Sequence, residues 1–530
     1  MEFCLGTADP PDSSSPVLPS RQEFTMTIQP DPQRVLMTCL AAVLAISALA
    51  CGNSPNEGEQ LSTQRPNIVL FLADDHGQWA SGPYGNEEVD TPALDRLAQS
   101  GVLMANASSP SPVCSPARTS LLTGRLPSQH GIHDFLSEHP DFDQDWLADE
   151  VLLPELLRNA GYRTGLIGKW HCAATSLVPD PSFDRWLSYD QGPEDWPNQY
   201  LHQGTVHLSD QGTPFSVNGF QLEHLGRAAR QFITSGGPEQ PYFLLFAPTE
   251  THSPFTGHPE DLVERYRNQN LTAVPAGGTS PFPAANEGSV APDDSGETLA
   301  QYYAAVSHQD TELASLLDLL EKRGELENTL VIYTSDHGLM VGHHGLLGKS
   351  NATLPQNLYE ESIRVPMVLS WPGGFPEAGI TLDLPFDHLD LFQTILEAAG
   401  VNLGEDLQGR INSPGMSLLP QLHDTNREWR RYSFTEHGNA RQINDGHFKL
   451  VRRYPPLDPR FGDELYDLEA DPGESTNLME ENSYSQIGAE LRTALDRHFE
   501  QYEDPEHSGR TVIDQPPCNG IEPWKRLADR

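Results

Sequence analysis

An α/β fold, with a largely parallel sheet covered by helices and a smaller α+β part at its C-terminal end, is the architecture this 530-residue sequence predicts. Three observations predict it. Continuous apolar runs at 67–73, 162–168, 242–247 and 330–335 lack the alternation of half-exposed strands, so they suit strands buried on both faces. Helical patterns at 91–101, 152–160 and 301–323 lie between them, as the crossovers of a parallel sheet require. Beyond about residue 400 the texture changes to short strand-like pieces at 432–436, 448–452 and 464–468, followed by a helix over 485–502.

Taken in chain order, residues 1–33 are polar and proline-rich, and Arg34 precedes an apolar run over 35–50. That run is shorter than the ~20 residues of a membrane span and suits the apolar core of an export signal. It ends in Ala48-Leu49-Ala50-Cys51, which resembles a bacterial lipoprotein box with Cys51 as the lipidated residue, and the leader has ordinary length if it starts at Met26. An ordinary signal peptide cut elsewhere is the alternative. Residues 1–51 are thus read as leader and signal segment, and 52–64 as a polar tether. The mature protein is expected to be exported, either periplasmic or a membrane-anchored lipoprotein of a bacterium. Residues 65–400 are read as the catalytic domain, with a Pro-, Gly- and Ser-rich surface insertion at 270–297, and 401–530 as the C-terminal subdomain and tail.

Lys and Arg number 33 against 75 Asp and Glu, a formal net charge of −42. Such a surface repels nucleic acid and anionic lipid, so contact with a membrane is expected only through a lipid anchor. Once the leader is gone and Cys51 is lipidated, Cys114, Cys172 and Cys518 remain, an odd set with no pairing framework.

Chemistry concentrates where the apolar runs end. Asp74-Asp75-His76 follows the first, Lys169-Trp170-His171 the second, His252 comes shortly after the third, and Asp336-His337-Gly338 follows the fourth. Ligands of open α/β sheets bind at the carboxyl ends of the strands, so these groups should converge. The carboxylates of Asp74, Asp75 and Asp336 suit a hard divalent cation; Ca²⁺, tolerant of irregular oxygen coordination, fits better than Mg²⁺, and zinc would need more His or Cys. Pro116 and Gly124 mark the first turn and the end of a helix, which places Cys114 at an N-terminus that favours an anion. Arg118 lies on the same face, but three residues separate it from Cys114, where a cysteine phosphatase would have five. His76, His343 and His344 are expected to orient loops or touch substrate, and Cys172 and Trp170 to be core residues.

Cys114-x-Pro116-x-Arg118 followed by Thr-Ser-Leu-Leu-Thr-Gly-Arg125 closely resembles the type I sulfatase signature, and Gly161 to His171 resembles the second signature of that family. The likeness continues through Thr334-Ser-Asp336-His337-Gly338, Gly348-Lys349 and Glu464 to Glu474. The resemblance implies an alkaline-phosphatase-like fold and a formylglycine made from Cys114 by a separate maturation enzyme. It also implies Ca²⁺ held by Asp74, Asp75, Asp336, His337 and residue 114. Arg118, Lys169 and Lys349 would neutralise nucleophile and sulfate, His252 would protonate the leaving oxygen, and His171 would be the base that regenerates the aldehyde. The expected activity is hydrolysis of sulfate esters on carbohydrates. A phosphonate monoester or phosphodiester hydrolase is the alternative within the superfamily, and a surface-binding lipoprotein that has lost catalysis is a third.

Overall fold

The computed structural model describes residues 65–528, apart from 138, 143, 174, 176, 190–199, 238, 276, 277, 293 and 294. The leader, Cys51 and the tether therefore lie outside the described residues.

Ten strands form the main sheet: β1 (Asn67–Ala73), β2 (Val102–Ser108), β3 (Arg163–Gly168), β4 (Arg185–Tyr189), β5 (Gln203–Asp210), β6 (Thr213–Phe220), β7 (Tyr242–Ala247), β8 (Thr329–Ser335), β9 (Met367–Ser370) and β10 (Ile380–Asp387). Their order is β10-β2-β9-β8-β1-β7-β3-β4-β5-β6. The four apolar runs are the adjacent, mutually parallel strands β8, β1, β7 and β3, so the continuous hydrophobicity reflects burial on both faces. The sheet is mixed, because β9 and β5 run against their neighbours. β5 and β6 form an exposed hairpin whose register is set by a two-residue turn, Gln211-Gly212, with φ of 50° and 79°. Positive φ at both positions matches the right-handed twist of the strands.

Helices cover both faces: α1 (Pro92–Gln99), α2 (Cys114–Thr123), α3 (Leu153–Asn159), α4 (Gln221–Ser235), α5 (Gly296–Arg323) and α6 (His388–Ala398). Successive side chains of β1 point to opposite sides. Ile68, Leu70 and Leu72 pack with Leu121, Leu157 and Ile395 on one face. Val69 and Phe71 pack with Leu97, Leu225 and Leu317 on the other. The site is thereby held between two apolar layers.

A smaller antiparallel sheet follows, β11 (Ser433–His437), β12 (Ala440–Asn444), β13 (Phe448–Arg453) and β14 (Glu464–Asp467), against which α7 (Ser485–Tyr502) packs Leu491, Leu495 and Phe499. Leu126 and Leu389 of the first part join this core, and all described residues belong to one compact unit. The chain then closes with α8 (Pro523–Ala528). Segment 270–297 is largely exposed, but it buries Phe282 and Ser289 and pairs its backbone with residues 345–354. No helix among the described residues is long and apolar enough to cross a membrane.

Candidate active site

The strand ends converge as their spacing predicts. Asp74 and Asp75 follow β1, Lys169 and His171 follow β3, His252 follows β7, and Asp336 and His337 follow β8. Asp75 and His171 take φ of 71° and 56°, left-handed conformations that non-glycine residues seldom adopt and that the surroundings must hold in place. Tyr302 Oη donates to the carbonyl of Asp75 (2.9 Å), and Thr251 Oγ1 to that of Asp74 (2.7 Å), so packing enforces the turn.

Cys114 opens α2 beyond the extended Val113, and Gly124, with φ of 70°, ends the helix. Its Sγ lies 3.0 Å from Lys349 Nζ, 3.3 Å from His337 Nε2 and 4.0 Å from Asp75 Oδ1. Lys349 Nζ also donates to Asp75 Oδ1 at 2.7 Å. One turn along the helix, Arg118 Nε donates to Asp336 Oδ2 (2.9 Å), Nη2 to Asp74 Oδ1 (3.2 Å) and Nη1 to the carbonyl of Lys169 (3.1 Å). Lys169 Nζ lies 2.8 Å from both oxygens of Asp74. The guanidinium is thus spent on the carboxylates rather than aimed at solvent.

This electrostatic arrangement favours anions at position 114. Burial pushes the Cys114 thiol up, but Lys169, Lys349 and His337 outweigh it and hold the pKa well below the ordinary thiol value. Burial likewise pushes Asp74 up, and Lys169 and Arg118 more than reverse it. Burial opposes the charge of Lys169 and Lys349, yet Asp74 and Asp75 respectively keep both protonated above the ordinary lysine range. Asp336 is the exception: burial exceeds the help of His337 and Arg118 and pushes it up to about 6. Two donor groups, Asp75–Cys114–His337 and Asp74–Cys114–Asp336, each bring their ligand atoms within 4.8 Å of one another.

His171 Nε2 donates to the carbonyl of Leu136 at 3.0 Å, its ring lies beside Cys114, and burial lowers its pKa. His252 Nε2 lies 3.7 Å from Asp75 Oδ2, and its Nδ1 bonds the carbonyl of Ser253 (2.7 Å). All ten residues singled out from sequence therefore meet. The other histidines do not join them. His76 bonds Tyr333 Oη (2.7 Å) and the carbonyl of Ala80, while His343 packs on Trp79 and His344 stacks on Tyr359 beside Glu361. Trp170 packs with Phe183 and Trp186, and burial raises the Cys172 thiol to about 12, as suits a core residue.

Residues 66–401 match the family model described as Sulfatase, and 342–501 match that of the N-sulphoglucosamine sulphohydrolase C-terminal region. The chain belongs to the sulfatase family. This sulfatase is a sulfuric ester hydrolase with the alkaline-phosphatase-like fold. It is 26% identical, over 90% of its length and 93% of the relative's, to an N-acetylglucosamine-6-O-sulfatase of Bacteroides thetaiotaomicron. A protein solved with its substrate D-glucosamine-2-N,6-O-disulfate shares the fold, with a TM-score of 0.70, 24% identity, and coverage of 83% of this chain and 98% of that one. The phosphonate monoester hydrolase of Agrobacterium radiobacter also shares it, with a TM-score of 0.65, 22% identity, and coverage of 83% and 96%.

Several residues of the sulfatase site carry no sequence signal. Tyr200 stacks on the His252 ring (centroids 3.8 Å apart, planes 10° apart) and accepts from Lys169 Nζ at 3.3 Å. Ser350 and Asn357 hold the Lys349 loop by mutual hydrogen bonds, and His437 of β11 bonds Ser350. Asp134 and the tail residues Ile521 and Arg526 line the cleft above the cluster, together with Asn286 and Ser289 of the 270–297 segment. The segment read as a surface insertion is thus also a wall of the site.

Proposed function

We propose that this sulfatase hydrolyses sulfate esters of carbohydrates with a formylglycine derived from Cys114 and a bound Ca²⁺. The observation that carries the reading is the position of residue 114. It lies at a helix N-terminus within 3.3 Å of a lysine and a histidine, with three buried carboxylates behind it. The donor set is rich in carboxylate oxygen, with one ring nitrogen, and fits a hard cation: Asp74, Asp75, Asp336, His337 and residue 114 would hold it. When bound, formylglycine supplies the nucleophilic hydroxyl and Ca²⁺ polarises the sulfate oxygens.

The chain's own groups account for the rest. Lys349 and Lys169 hold positive charge against residue 114 and the incoming sulfate, each worth ~3 kcal/mol in the transition state. Arg118 binds Asp74 and Asp336 at once and favours the ionised form of each. His252, with Nε2 facing the cleft and its ring fixed by Tyr200 and the Ser253 carbonyl, delivers a proton to the leaving alcohol oxygen. His171, kept neutral by burial, takes a proton from residue 114 so that sulfate can depart. The carbohydrate assignment is supported by the amino-sugar sulfates named for the two similar proteins. Export with lipidation at Cys51, and oxidation by a maturation enzyme, follow from the leader and from the cysteine motif.

Mass spectrometry of the peptide around residue 114, from protein co-expressed with a maturation enzyme, tests the reading. An aldehyde is expected in active material, and unmodified cysteine in fully active protein would overturn it. The fold shared with a phosphonate monoester hydrolase supports one rival. Paired kinetics with sulfate and phosphonate esters of a single leaving group decide between them.

A further inference from the structure

We propose that Arg526 is a specificity residue that binds a second oxyanion, a sulfate or a carboxylate, on the saccharide whose sulfate is cleaved. The proposal rests on the reading of the site as a carbohydrate sulfatase and names the kind of carbohydrate.

The cleft that opens above residue 114 has a volume of about 330 Å³, within the range of a small-ligand site. Asp75, His252 and Lys349 form its inner end. Its outer wall comes partly from the chain's last segment, which carries Ile521 and Arg526. This wall is built in. Asn519 Nδ2 donates to the carbonyl of Phe135 (2.9 Å), and the amide of Ser137 to that of Cys518 (2.9 Å). Trp524 is fully buried against His437, and Glu522 accepts from the amide of Cys518 at 2.8 Å. Arg526 therefore reaches the cleft from a fixed helix and not from a loose end.

Charge singles this residue out. Among the cleft residues, Arg526 is the one permanent cation besides Lys349, which is committed to Asp75 and residue 114. Neighbouring Lys525 is neutralised by Glu522 at 2.9 Å, whereas no ion pair of Arg526 is found among the described residues. Among the described residues its one side-chain hydrogen bond is Nη2 to the carbonyl of Ala285 (2.9 Å), which aims the fork and leaves the other guanidinium donors without a described partner. Asp134, the remaining charged residue of the lining, faces His437 at 3.7 Å. A planar fork with spare donors is the side chain suited to bidentate capture of sulfate or carboxylate. In a chain of net charge −42 the bulk field opposes such a ligand, so recognition has to come from a local cation of this kind.

The alternative is that Arg526 only braces the 270–297 wall through Ala285, and steady-state kinetics separate the two. Matured full-length enzyme is assayed on an uncharged aryl sulfate, a monosulfated amino sugar, its disulfated counterpart, and a monosulfated disaccharide containing a uronate. Wild type should prefer the substrates with a second anion, and whichever of the last two is preferred identifies that anion. R526Q should raise KM for the preferred substrate ~10-fold or more, the loss expected for a charge-assisted hydrogen bond. Turnover of the aryl sulfate and the monosulfated sugar should stay unchanged, which also shows that the variant folds. R526K should keep part of the preference, and K525Q all of it. An equal loss on every substrate, no loss on any, or a wild type indifferent to the second anion would overturn the proposal. A wild type active on aryl sulfate but on no sugar would instead overturn the carbohydrate reading itself.

Discussion

Replacing Arg118 with Met keeps the side-chain volume and removes the charge at the centre of the carboxylate cluster. The structure shows where the loss falls. Asp74 retains Lys169 on both oxygens, at 2.8 Å. Asp336 retains the amides of Asp75 (3.1 Å) and His337 (2.9 Å) on Oδ1, but its Oδ2 loses the Arg118 bond. One fully buried carboxylate is left half-satisfied, and removing one partner of such a pair costs about 3–5 kcal/mol. That is a large share of the ~5–15 kcal/mol that holds an average protein folded. Thermal unfolding in excess chelator should therefore show a clear drop in Tm, and added Ca²⁺ should recover part of it by binding only the folded state. The sign of the pH dependence is fixed as well. Asp336 already sits near 6, above the ordinary carboxylate range, and loss of Arg118 raises it further. A raised acid contributes stability that is present below about 4 and lost as pH rises through the folded value, so the variant's deficit should be small at acid pH and grow above about 6. An R118M protein with wild-type Tm in chelator at pH 8 would refute this reasoning.

Four further outcomes are expected. Asp75→Asn and exhaustive chelation should each remove most activity, with Ca²⁺ restoring the chelated wild type; full activity after chelation would exclude a catalytic metal. His252→Ala should lower kcat roughly 10²–10⁴-fold on sugar sulfates but much less on aryl sulfates with acidic leaving groups, because only a poor leaving oxygen needs the proton; equal losses would remove the acid role. For an anionic disaccharide, kcat/KM should hold or rise with salt, since the Debye length falls from ~10 Å at 0.1 M to ~3 Å at 1 M and screens the repulsion of a −42 surface before the contacts inside the cleft. A steep fall would show that long-range steering favours the substrate. Cys51→Ala should release the protein from the membrane fraction, whereas a wild type found wholly soluble would end the lipoprotein reading.

The amino-acid sequence by itself determined the centre of the sheet, because strands buried on both faces must be apolar without interruption; the runs that became β8, β1, β7 and β3 could hardly be anything else. It also pointed to most of the candidate site groups, since Asp74, Asp75, Lys169, His171, Asp336 and His337 follow those strands and Cys114 opens a helix marked by Pro116 and Gly124, whereas Lys349 was legible only through the family motif. It did not determine the sheet's edges: β2, β5, β6 and β10 are partly exposed, so their hydrophobicity carries little signal and long-range pairing chose their places. Nor did it show that Arg118 is used up on Asp74 and Asp336, a matter of distances across elements 44 and 218 residues apart in the chain. Tyr200 behind His252, Ser350 and His437 behind Lys349, and Arg526 above the cleft belong to segments that touch only in the folded chain. Position along a strand is a local property that a sequence can display, whereas the company a side chain keeps is decided by packing.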